Sequence, residues 1–192
     1  MSVEYPSITP EMLKEFEDQL SPKLRTPTEN VRVRQWTAKK TQEVVIQHSF
    51  RESAVIEKVV VARNDSEAWG THDVFKVTFG ITSTKGSGLN VGKKVTLAAR
   101  LLPSDSFASA LDWQKRSTAQ GLLLLTQVVR ARGYEVAGGI SSAQMKAYYP
   151  TEGDSPLVGA EVEIEVANKS NSDFSEVSNV FKLQTTAPDA EV

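Results

Sequence analysis

Residues 73–82 and 93–101 alternate between apolar and polar side chains, and this tandem pattern constrains the fold more than any other part of the chain. Phe75, Val77, Phe79 and Ile81 fall on one side of the first run, with Lys76, Thr78, Gly80 and Thr82 on the other. In the second, Val95, Leu97, Ala99 and Leu101 oppose Lys94, Thr96, Ala98 and Arg100. A period of two marks strands with one face buried and one face wet. Residues 54–63, rich in Val, precede them across residues 64–72, and the Gly-rich stretch 83–92 joins the pair. A three-stranded meander is predicted.

A helix follows. Ser117 and Gln120 have capping-box spacing, Leu122, Leu125 and Val129 form an apolar stripe widened by Leu124 and Val128, and Gly133 stops the helix after Arg130 and Arg132. Residues 104–116, with Phe107, Leu111 and Trp113, read as a further helical turn or two. Two strands close the series at 160–167 and 176–183, the first alternating Val162, Ile164 and Val166 with Glu161, Glu163 and Glu165. Their connection carries Lys169 and Phe174, and residues 31–36 and 43–50 read as an extra hairpin. Three strands, a helix and two strands predict a mainly β chain with helices (α+β), built as a five-stranded OB-type barrel with its helix between strands three and four. At the N-terminus, Thr9, Pro10, Leu13, Phe16 and Leu20 predict a short amphipathic helix, and Pro and Thr mark a linker after it. The expected organisation is a helical arm with linker over 1–30, the β domain over 31–183 and a loose tail over 184–192.

With 192 residues, 40% of them hydrophobic, the chain buries one good-sized core. It has no cysteine, which excludes disulfides, a thiolate nucleophile and cysteine-rich zinc sites and fits a reducing compartment. No run reaches the length of a membrane span, and residues 1–10 lack the basic and apolar regions of a signal peptide, so a cytoplasmic protein is expected. The charge is segregated: residues 31–51 carry five basic side chains against one acidic, 84–116 six against two, and 150–192 two against nine. That division suits a basic binding face beside an acidic end.

Binding single strands regardless of sequence takes cations along the phosphates and rings on which bases stack, each stack contributing roughly 1–3 kcal/mol. Trp69 falls between the first two strands of the meander and Phe174 between the last two of the barrel, flanking one cleft. Lys76, Lys85, Lys93, Lys94, Arg100 and Lys169 supply the charge. Trp36, Trp113, Tyr148 and Tyr149 read as structural packing. Enzymatic chemistry is not expected: His48 and His72 are the only histidines, and His72 and its neighbour Asp73 point to opposite faces of a strand. Glu161, Glu163 and Glu165 share a strand face, read as solvated, with a divalent cation as the other reading. KGSGLNVGKK lacks the spacing of a phosphate-binding loop and reads as a hairpin with lysines.

The meander, AQGLLLLTQVVRARGYEV, the spacer ending in YYPTEGDSPLVG, and AEVEIEVANKSNSDFSEVSNVFKL together resemble phage-encoded single-stranded DNA-binding proteins of replication and recombination modules. The resemblance covers roughly residues 50–183 and implies an OB fold, cooperative coating of single-stranded DNA or RNA, no cofactor and no catalysis. Such proteins often end in a long acidic tail with an aromatic terminus, which TTAPDAEV lacks; recruitment of replication or recombination partners through the tail is not expected. The competing readings are a phage structural or assembly protein with a β-barrel core, a homo-oligomer through its exchanging N-terminal arm, and a carbohydrate-binding β domain using Trp69 and Trp113.

Overall fold

The computed structural model describes residues 3–7, 9, 11, 30–36, 41–47, 51–84, 91–168 and 175–183. The strands are β1 (Asn30–Trp36), β2 (Thr41–Gln47), β3 (Glu52–Ser66), β4 (Gly70–Thr84), β5 (Lys94–Leu101), β6 (Glu161–Asn168) and β7 (Ser175–Lys182). The helices are α1 (Ser104–Phe107), α2 (Asp112–Ala131) and α3 (Ser142–Tyr148). The extra hairpin is present as the two-stranded pair β1–β2, and the other strands form one antiparallel sheet in the order β5-β4-β3-β6-β7. Outside the described residues fall the tail 184–192 and the N-terminal helix expected over 8–20, except for Thr9 and Glu11.

The predicted inward faces of β4 and β5 are buried throughout, from Phe75 and Val95 to Ile81 and Leu101. Register explains how they fit: Val77 lies between Val59 on β3 and Leu97 on β5, and Phe79 between Ile56 and Val95. Directly opposed residues share a face, so these rows form a continuous apolar layer. Leu122, Leu123, Leu125, Val128 and Val129 of α2 complete the core with Val162 and Ile164 of β6.

The expected barrel is an open sheet. Edge strands β5 and β7 come within 8 Å between Cα atoms, but no ladder joins them. Helix α2 packs against both edges and replaces the missing pairing with its own groups. On the β5 side, a Cβ on Gly121 would lie 2.9 Å from Leu101 Cδ2 and 3.1 Å from Ala99 Cβ, so glycine sets the close approach. Thr118 Oγ1 accepts the Leu102 N–H at 3.3 Å. On the β7 side, Gln127 Oε1 accepts the Val180 N–H at 3.1 Å while its Nε2 donates to Asn179 Oδ1 at 3.2 Å. An edge whose backbone groups are satisfied by a helix has less need of the facing strand.

Two helix boundaries differ from the sequence reading. Helix α2 begins at Asp112 rather than at Ser117, because Gln114 caps it: its Oε1 accepts the Leu111 N–H at 2.8 Å. Helix α3 was not anticipated within the spacer, although Ser141 and Gln144 carry a capping-box signal and bond reciprocally. Gly133, at φ 100°, ends α2 as expected, its N–H donating to Arg130 O at 2.9 Å.

Residues 3–7 dock on the body of the same chain. Tyr5 N–H donates to Ser142 Oγ at 2.9 Å, and Ser104 N–H donates to Glu4 O at 2.8 Å. The Tyr5 hydroxyl donates to Asp73 Oδ2 at 2.7 Å, and Arg63 grips both oxygens of that carboxylate at 2.9 Å each. Burial, then the hydrogen bond and charge of Asp73, hold the Tyr5 phenol well above its ordinary range. The same carboxylate raises Arg63 through the hydrogen bonds it accepts.

Candidate nucleic-acid interface

The outward face of β3–β4–β5 is a shelf built by register. Lys58, Thr78 and Thr96 form one row, Val60, Lys76 and Ala98 the next, then Ala62, Val74 and Arg100, and last Asn64 beside His72. Lys94 lies opposite Gly80 at the other end. Lys58, Lys76, Lys94, Ala98 and Arg100 are exposed, and the residues between them are mostly short, which leaves the backbone within reach of a ligand. Thr78 and Thr96 share a hydroxyl contact of 3.3 Å across the strands.

Lys58 reaches this face because of a β-bulge at Glu57, where the register with β4 shifts between Ile56 and Lys58. Without the extra residue, Lys58 would share the inward face of Ala54 and Ile56. The sequence signal is the break in alternation at Glu57 and Lys58. Glu57 then folds over Gly80, where a Cβ would collide with its carboxylate, and pairs with Lys94. Of the candidate cations, Lys94 therefore meets ligand only in competition with Glu57, while Lys58 was not among the sequence candidates.

At the Arg100 end, Trp69 closes the turn between β3 and β4, with Gly70 after it at φ 62°. Gln114 Nε2 donates to Ala68 O at 2.9 Å and ties this turn to the start of α2. Trp69 thereby meets Trp113 edge to face, 5.1 Å between centroids at 88°. Its ring lies 5.5 Å from that of His72, and Arg100 Cζ is 5.9 Å from its centroid. Trp69, His72 and Arg100 line an open cavity of about 500 Å³ together with Asn64, Asp65, Ser66 and Ala68. Trp113, read from sequence as packing, is half exposed beside Trp69; only the contact between α2 and the turn could reveal this.

The remaining candidates divide. Lys93 precedes β5 half-buried, on the opposite side of the chain from Lys94, and its carbonyl accepts the Ile81 N–H at 2.9 Å. Lys85, Lys169 and Phe174 lie outside the described residues. His72 and Asp73 occupy opposite faces of β4, with His72 Nδ1 2.9 Å from Gly70 O and Asp73 held by Arg63 and Tyr5.

The solvated acidic face expected on β6 is a correction. Glu163 and Glu165 are buried, at 1% and 5% exposure. Arg51 reaches Glu163 at 3.5 Å while lying 4.1 Å over the Phe181 ring, and Asn179 Nδ2 donates to Glu165 Oε2 at 2.7 Å. Polar partners on β7 and at Arg51 allow these carboxylates to be covered.

No helix among the described residues is long and apolar enough to cross a membrane. No protein-family model matches the chain, and no curated protein is similar to it in sequence.

Proposed function

We propose that this chain binds single-stranded nucleic acid along the outward face of β3–β4–β5, coating DNA in a phage replication or recombination module in the host cytoplasm. The observation that carries the reading is the register itself: Lys58, Lys76 and Arg100 stand on one outward face among small residues and lead to the Trp69–Trp113 pair. Cations track phosphates, short side chains let the strand approach, and rings accept bases of any identity. The strand order, with α2 between the third and fourth strands of the sheet, supports an OB-type domain in which the helix fills the gap between the first sheet edge and the last. The opposing carboxylates Glu163 and Glu165 are covered, which removes two negative charges from the protein surface.

The test is a titration of fluorescent oligothymidine at low and high salt with duplex competitor, using the native chain, Trp69→Ala and Lys76→Ala/Arg100→Ala. Tight binding that weakens with salt, resists duplex and falls in both variants is expected. No binding at low salt would overturn the reading in favour of a phage structural or assembly protein.

A further inference from the structure

We infer that Gln114 is the positioning residue of this face: its amide locks Trp113 on α2 to Trp69 on the β3–β4 turn, so that both rings are set before a strand arrives. The inference rests on the single-strand reading above and adds the group that preorganises its rings.

The two rings come from separate elements. Trp69 ends a turn closed by its own N–H, which donates to Ser66 O at 3.2 Å, and Gly70 follows at positive φ. Trp113 stands in the first turn of α2, where the Lys115 N–H donates to Leu111 O at 3.0 Å. Gln114 directly follows Trp113 and reaches across 46 residues of chain to Ala68, the residue before Trp69.

That reach calls for an amide. Oε1 accepts the Leu111 N–H at 2.8 Å and Nε2 donates to Ala68 O at 2.9 Å, and neither partner can exchange its role, since a backbone N–H only donates and a carbonyl only accepts. A glutamate would keep the first bond, with a charge that suits a helix N-terminus, but would set an oxygen against the Ala68 carbonyl. An alanine would make neither bond. With both ends engaged, Gln114 holds the rings edge to face at 5.1 Å while Trp113 stays half exposed. Rings already in place spare a bound strand the ordering of two side chains. Gln114 touches no base itself and acts through Trp69 and Trp113.

The experiment uses the full chain with Gln114→Ala, Gln114→Glu and, as a contrast, Lys76→Ala. Circular dichroism reads the ring pair without ligand, because two indoles in contact give a coupled band. Urea denaturation reads the helix cap, and oligothymidine titrations over a range of salt read binding. Both Gln114 variants are expected to lose the coupled band and to bind oligothymidine about fivefold more weakly, the scale of ordering one side chain at an interface, with the salt slope unchanged. Lys76→Ala should keep the band and reduce the magnitude of the slope by about 0.7. The urea midpoint of Gln114→Glu should stay near native because its cap survives, which separates lost positioning from lost folding. A native band or native affinity in Gln114→Glu would overturn the proposal and leave Gln114 as a helix cap. Weakened binding in Gln114→Glu but not in Gln114→Ala would overturn it as well, marking repulsion by the added charge. Failure of the native chain to bind oligothymidine at low salt would sink the single-strand reading too, whereas failure of this proposal alone leaves native binding intact.

Discussion

The two halves of the sheet carry the same kind of alternation and treat it in opposite ways. On β4 and β5 the polar positions Lys76, Lys94 and Arg100 face solvent. On β6 the polar positions Glu163 and Glu165 are buried, one met by Arg51 and the other by Asn179. Alternation therefore identifies which residues share a face, but whether that face is wet depends on what stands opposite it. Cross-strand partners decide the matter: Asn179 directly faces Glu165 on β7, whereas Lys76 faces Val60 and Ala98.

A charge placed wrongly should break the comparison first. Glu165→Lys buries an ammonium where Asn179 Nδ2 donates to a carboxylate, leaving two donors facing each other, and a loss of about 3–5 kcal/mol is expected in urea denaturation. An unchanged midpoint would mean that this half of the sheet is as wet as the other.

The helix that spans the gap is the next target. Gly121→Val should push α2 away from Leu101 and Ala99 and cost about 1–3 kcal/mol, read as a lowered thermal midpoint. No loss would show that β5 does not need the close approach of α2.

Alkaline pH separates the inward end of the meander from its outward face. The Tyr5 phenol is raised above its ordinary value of 10.0, so its contribution is complete below that pH and is lost as pH climbs toward the folded value. Burial also raises Tyr149, whose hydroxyl donates to Leu125 O at 2.8 Å. Tyr5→Phe is expected to cost about 1 kcal/mol at neutral pH and to flatten part of the stability decline above pH 10, measured by denaturation across pH. An identical decline in the variant would remove Tyr5 from that titration.

The smallest effect on stability belongs to the outward face. Lys76→Ala should change stability by less than about 0.5 kcal/mol, yet reduce the magnitude of the salt slope of single-strand binding by about 0.7. A large stability loss would show that Lys76 belongs to the architecture rather than to a ligand.

Much of this fold is legible residue by residue. The inward positions of β4 and β5 follow from alternation, the body of α2 from its stripe and Gly133, and the extra hairpin from its β-rich runs. The site is less legible. Lys58 is hidden by a bulge that flips the phase of β3, and Trp113 by the contact that Gln114 makes with the Trp69 turn. Tyr5 lies 68 residues from Asp73, and no local pattern announces such a partner.

The sequence by itself determined the strands, the central helix and the faces, because periodicity and capping act within a few residues of one another. Tertiary structure decided that the sheet stays open, that Glu163 and Glu165 are covered, and that Trp69, Trp113 and Arg100 gather at one end of the shelf. Those outcomes depend on Gln127 reaching Val180, Arg51 reaching Glu163 and Gln114 reaching Ala68. Each joins residues distant in sequence, and their geometry exists only once the elements have packed.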